Sequence, residues 1–221
     1  MLDLPLTFLQ RPAAATTPRP WLLVLMHGVG SNEQDLFSLA PQIPDRFHVI
    51  SLRAPHRMGP GSHAWFDFSL EPGGARSYNA EQEAASRALV AQCVDAASAQ
   101  LEIPPERVVV GGFSQGGIMA LSLLLTRPEL VQAAMVWHGR LLPEILPHSA
   151  PADALRGRQL WVSHGTQDPV IALAHAQAIR QHMAALPVRL TYEEFASQHE
   201  IRQAELVHSI AWLDGLDSFA H

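Results

Sequence analysis

Lysine is absent from all 221 residues, so each of the fifteen basic side chains is an arginine. That absence excludes a phosphate loop of the Gly-x-x-x-x-Gly-Lys type, whose lysine reaches the β- and γ-phosphates. The formal net charge is −6 and no run of arginines occurs, which leaves no electrostatic footprint for nucleic acid or an anionic membrane surface. Cysteine occurs once, at Cys93. An internal disulfide is thereby excluded, no Cys/His spacing matches a structural zinc site, and a reducing cytoplasm is the expected location. No apolar run approaches the roughly eighteen residues of a membrane-crossing helix, and "MLDLPLTFLQ" lacks the positive region of an export signal. Neither export nor stable membrane insertion is expected.

What is abundant is apolar side chain: 48% of the residues are hydrophobic. A chain of this size and composition buries a sizeable core, and one domain over 1–221 is the expectation. Six short runs rich in Val, Leu and Ile read as strands that are apolar on both faces: 21–26, 47–52, 107–113, 133–138, 160–164 and 188–195. Such runs belong to a buried parallel sheet. Between them lie helical patterns, beginning at a capping Ser31 or Asn32, over 79–102 before Pro104 and Pro105, after residue 114, over 170–186, and from 200 to 216. Alternating strand and helix predicts an α/β fold, a mainly parallel sheet with helices on both faces and its chemistry at the carboxyl ends of the strands. Residues 4–10 are a candidate antiparallel edge strand, and 11–20 a proline-rich connection. The segment 53–78 is too long for an ordinary connection, yet it holds Trp65, Phe66, Phe68 and Tyr78. An ordered flap over the strand ends is expected there.

The stretch "GGFSQGG", 111–117, places Ser114 between Gly112 and Gly116, directly after "RVVV" and directly before a helical pattern. Gly-x-Ser-x-Gly in that context is a nucleophile elbow: a sharp turn exposes the hydroxyl, and side chains two residues away on either side would collide. The other reading is a glycine-rich turn without catalysis. A serine attacks only when a positioned base takes its proton and an acid orients that base. On a sheet of this kind they follow in the order Ser, Asp or Glu, His. Asp168 in "GTQDPV" falls just past the strand 160–164, and His199 in "ASQHEI" falls just past 188–195. Asp95, Asp153, Asp214, Glu193, Glu194 and His208 are placed less well, on helices, on a strand or in irregular chain. The backbone N–H of Gln115, at the start of the helix, and that of Val29, in "HGVGSNEQD", are the candidate donors to an oxyanion. Three His-Gly pairs, 27–28, 138–139 and 164–165, end predicted strands. Without a carboxylate at ligand spacing, neutral histidines bonded to loop backbone are expected rather than a metal site. Cys93 is expected as a packed apolar residue, and His175 and His182 on a helix surface.

Together "HGVGSNEQD", "AWFD" 64–67, "GFSQGG" 112–117, "HGTQDPV" 164–170 and "HEI" 199–201 resemble the phospholipase/carboxylesterase family of α/β-hydrolases, which includes acyl-protein thioesterases and small bacterial carboxylesterases. The resemblance runs from about Trp21 to the final helix. It implies an α/β-hydrolase fold, Ser114, Asp168 and His199 as the triad, Val29 and Gln115 as the oxyanion hole, and Trp65 near the acyl pocket. Two positions depart from the family pattern: Gln198 stands where a glycine is common, and His138 where a serine is common, which puts His138 at the pocket wall. The expected activity is cofactor-free and metal-free hydrolysis of a small-molecule carboxylic ester or thioester through an acyl-enzyme. Met58, Trp65, Phe66, Phe68 and Leu70 would suit a short to medium acyl chain. A peptidase or amidase on the same fold, or a non-catalytic binding protein, are the alternatives, and a homodimer is left open.

Overall fold

Strand β2, Trp21–Met26, sits mid-sheet with all six residues buried. Its side chains alternate between two layers: Leu22, Val24 and Met26 enter one apolar cluster, and Trp21, Leu23 and Leu25 the other. A strand covered on both faces has no polar side, which is why its sequence does not alternate. The computed structural model describes residues 2–70 and 76–216. Its central sheet has seven strands in the order β1-β3-β2-β8-β9-β10-β11. The others are β1 (Phe8–Arg11), β3 (Phe47–Leu52), β8 (Val108–Phe113), β9 (Ala133–Trp137), β10 (Gln159–Gly165) and β11 (Arg189–Phe195). All neighbours are parallel except β1, which runs antiparallel along β3 as an edge.

Among the described residues, five α-helices cover the sheet. On one face, α2 (Ala80–Leu101), α3 (Gln115–Thr126) and α4 (Leu173–Met183) close the larger cluster; on the other, α1 (Gln34–Phe37) and α5 (Gln203–Gly215) close the smaller. Asn79 caps α2, its side chain accepting from Gln82 N–H at 3.0 Å. Eleven of the twelve residues of α3 are buried, as expected of a helix that is apolar all round. The expected helix from Ser31 or Asn32 is only one turn, with Asn32 Oδ1 accepting from Gln34 N–H. Cys93 is buried in the α2 layer, where burial raises its thiol to about 11. His175 is exposed on α4 and His182 half-buried.

The chain leaves β2 toward β3 on one side and returns to β8 on the other, so the strand order reverses between β2 and β8. A crevice opens beyond the carboxyl ends at such a switch point. The segment 53–78 lies over this edge as two short hairpins, β4 (His56–Gly59) with β5 (Ser62–Ala64), and β6 (Phe68–Leu70) with β7 (Arg76–Tyr78). The tip of the second, 71–75, is outside the described residues. No helix among the described residues is long and apolar enough to cross a membrane.

Candidate active site

At the end of β8 the backbone of Ser114 is forced to φ 54°, ψ −114°, outside the basins a serine ordinarily occupies. Close packing imposes it. A Cβ on Gly112 would lie 2.3 Å from the carbonyl carbon of Gly116, and one on Gly116 would lie 1.9 Å from the Met26 carbonyl oxygen. Backbone stands on both sides of the turn, so neither position admits a side chain. The Ser114 N–H donates to Trp137 O at 2.8 Å, which ties the strained residue to β9.

His199 arrives from the loop between β11 and α5, and Asp168 from the loop after β10. His199 Nε2 lies 2.9 Å from Ser114 Oγ, and His199 Nδ1 lies 2.7 Å from Asp168 Oδ2. Asp168 Oδ1 accepts from Val170 N–H at 2.8 Å and Ile171 N–H at 2.9 Å. Burial pushes this carboxyl up, but hydrogen bonds from His199, His138, Ile171 N–H and Val170 N–H outweigh burial and hold it at about 2. The three residues expected from chain order therefore stand in one hydrogen-bonded line.

Val29 and Gln115 meet beside Ser114 at the mouth of one cavity of about 520 Å³. Neither backbone N–H donates to another group among the described residues. The loop carrying Val29 is clipped to the first hairpin, with Gly30 N–H donating to His63 O and His63 N–H to Ser31 O, both at 2.8 Å. Phe66, Phe68, Ile118 and the segment Pro169–Ala172 form most of the remaining wall, with Arg140 and His175 at its polar end.

Three expected pocket residues are corrected. Trp65 is wholly buried beneath the crevice: its Nε1–H donates to His27 O at 2.9 Å, and its ring packs on that of His27. Its backbone is held by Gln115, whose Oε1 accepts from Trp65 N–H at 2.7 Å while Nε2 donates to Phe66 O at 2.6 Å. Met58 is 54% exposed on β4 and does not line the cavity. His138 is wholly buried behind Asp168 instead of at the pocket wall. The side chain of Leu70 lies outside the described residues.

Two of the three strand-end histidines match the expectation of a neutral ring on loop backbone. His27 Nδ1–H donates to Gly28 O, and Nε2 accepts from Ala54 N–H. His164 Nε2–H donates to Ile171 O. Burial lowers the pKa of both rings. His138 does not match: its Nδ1 lies 2.9 Å from Asp168 Oδ2, and its Nε2 lies 3.3 Å from Oε2 of the buried Glu205 on α5. Glu205 is the site residue that sequence reasoning missed. The structure places 205, 209 and 213 along one helix face, with all three residues buried. His138, His164 and Asp168 hold potential ligand atoms within 4.8 Å of one another. Each makes a hydrogen bond within the protein, while Nδ1 of His164 is buried without a partner.

The model of the phospholipase/carboxylesterase family matches residues 12–215. This chain belongs to that family. Esterase YpfH of Escherichia coli is 30% identical over 169 residues, covering 74% of this chain and 68% of its own. Acyl-protein thioesterase 1 of Eremothecium gossypii is 27% identical over 186 residues, covering 77% and 76%. Among solved structures, a Bacillus cereus carboxylesterase superposes with a TM-score of 0.81 over 96% of this chain and 95% of its own, at 21% identity. The fold is that of the α/β-hydrolases, and the protein is a hydrolase of the ester and thioester class. Gln198 is exposed and its φ is not positive, so its backbone does not require glycine.

Proposed function

We propose that this hydrolase cleaves short- to medium-chain acyl esters or thioesters of small molecules through an acyl-enzyme on Ser114. The unbroken line Ser114 Oγ, His199, Asp168, at 2.9 and 2.7 Å, is the observation that carries this reading. His199 Nε2 takes the Ser114 proton as Oγ adds to the acyl carbon, and Asp168 holds Nδ1–H and steadies the imidazolium that forms. The carbonyl oxygen becomes an oxyanion between the N–H groups of Val29 and Gln115, assisted by the N-terminus of α3. As the tetrahedral adduct collapses, the bond to the alcohol or thiol breaks and His199 Nε2–H protonates the leaving group. Water, deprotonated by His199, then adds to the acyl carbon, and its collapse releases the acid and returns the proton to Ser114.

The 520 Å³ cavity with Phe66, Phe68, Ile118 and Val170 suits the acyl chain. A smaller depression of about 260 Å³, bordered by His199, Phe113, Leu36 and Ile201, suits the leaving group. The buried free thiol of Cys93 is compatible with a reducing cytoplasm.

A fluorophosphonate should label the protein once, at Ser114. Ser114→Ala should abolish labelling and lower kcat on a short-chain p-nitrophenyl ester by roughly 10⁴- to 10⁶-fold. A variant retaining activity within tenfold would refute the assignment. Turnover of the matched p-nitroanilide at a rate similar to the ester would favour the amidase alternative.

A further inference from the structure

The carboxylate of Asp168 serves two histidines. Oδ2 receives His199 Nδ1 at 2.7 Å and His138 Nδ1 at 2.9 Å, while both N–H donors to Oδ1 come from its own loop. Behind His138 stands a second buried carboxylate, Glu205, whose Oε2 faces His138 Nε2 at 3.3 Å and whose Oε1 accepts from Ser163 Oγ–H at 2.6 Å. The Ser163 hydroxyl in turn accepts from Trp161 Nε1–H at 3.2 Å. The side chains of His138, Asp168 and Glu205 are wholly excluded from solvent. One hydrogen-bonded chain thus runs from α5 through the sheet edge to the elbow.

Ionised carboxylates only accept hydrogen bonds, and a neutral imidazole offers one N–H. With both ring nitrogens of His138 on carboxylate oxygens, a neutral ring would turn a lone pair toward an oxygen lone pair among side chains wholly shielded from solvent. A ring protonated on both nitrogens satisfies both contacts, and it supplies one positive charge to two buried negative ones. Burial alone would lower the His138 pKa, but Glu205 first and Asp168 second reverse this, and the pKa is raised. The other titratable groups facing the ring are His164, from β10, at 5.0 Å between centroids, and His199 at 5.5 Å; the apolar ring of Phe113 closes the side toward β8. The backbone supports the placement. His138 holds φ 53° while its N–H donates to Ser163 O at 3.0 Å, one of three non-glycine residues with positive φ among the described residues, Ser114 being another. A left-handed conformation at a buried non-glycine residue persists only where its surroundings fix it.

We propose that His138, clamped as an imidazolium between Asp168 and Glu205, is a positioning residue of the triad, with Glu205 as the counter-charge that keeps it protonated. It fixes the Asp168 carboxylate from behind and holds part of its charge. Asp168 therefore orients His199 without presenting a full uncompensated charge to it. Since the proposal rests on the triad reading, its decisive measurement is independent of turnover.

In ¹⁵N-detected NMR of histidine-labelled protein, both ring nitrogens of His138 should carry a proton throughout pH 5.5–8.5. Glu205→Gln preserves the side-chain shape and should return His138 to a singly protonated ring within that window. His138→Gln removes the charge, and should move the acid limb of the kcat/KM profile to higher pH by roughly one unit, with kcat lowered roughly tenfold. A purely structural role would lower stability and leave that limb in place. A wild-type His138 with a single ring proton at pH 7 overturns the proposal, whatever the variants do. An acid limb unmoved in His138→Gln overturns it equally. A protein that shows the doubly protonated ring but hydrolyses no ester would instead refute the triad reading.

Discussion

At residue 116 a methyl group has nowhere to go, because the obstructing atom is the backbone carbonyl of Met26 and that carbonyl belongs to the central strand. Gly116→Ala must therefore move either β2 or the start of α3. Overpacking against backbone ordinarily costs about 1–3 kcal/mol and sometimes more; here a loss of at least about 3 kcal/mol is expected, measured as a lowered urea midpoint. Fluorophosphonate labelling should fall with it, because the same turn shapes Ser114. A variant of wild-type stability would show that the elbow is looser than its contacts imply. Single residues also mark where sequence reading reaches its limit. Ser114, Asp168 and His199 were legible because each follows a strongly apolar strand in the order the fold demands. Glu205 was not, because an acid in the first turn of a helix reads as a dipole partner. Its meaning comes from His138 and Ser163, 67 and 42 residues away.

Among the elements, the six parallel strands were readable almost to the residue, because strands buried on both faces leave unmistakable apolar runs. The antiparallel β1 was partly readable, overlapping the expected stretch 4–10 but shifted to Phe8–Arg11. The two hairpins of 53–78 were not. Ladders three or four residues long leave little periodicity, and what positions them is remote: Ser31 holds the first, and Gln115 holds the Trp65–Phe66 link between them. That dependence is also why Trp65 was mistaken for a pocket residue, since a large aromatic beside a catalytic turn reads the same whether it faces substrate or pins the flap. Helix α3 supplies the deep wall through Ile118, one turn beyond the elbow. Ile118→Trp should shorten the cavity and shift the preferred p-nitrophenyl ester toward acetate or butyrate, with kcat/KM on octanoate falling roughly tenfold or more. An unchanged chain-length profile would place the acyl chain elsewhere.

For the molecule as a whole, the same buried charges tie stability to pH from both sides. Asp168 titrates at about 2 in the folded protein, below the ordinary aspartate value near 3.9. Its contribution is therefore present above about pH 4 and lost as pH falls through 2, a change of about 2–3 kcal/mol. His138 has the opposite sign. Its raised pKa gives a contribution that is full below about pH 6.5 and lost as pH rises through the folded value. Urea unfolding across pH should show both contributions together between about pH 4 and 6.5. The acid-side loss should shrink in Asp168→Asn relative to wild type, and equal acid slopes in the two proteins would contradict the assignment. The side chain of Gln115 has a consequence of another kind. Its amide both accepts from and donates to the chain at Trp65 and Phe66, as a strand partner would. Glutamate cannot donate, asparagine is a methylene short, and an aliphatic residue does neither. The residue after Ser114, whose side chain the elbow itself leaves unspecified, is thus restricted to one amino acid by a segment fifty positions earlier in the chain.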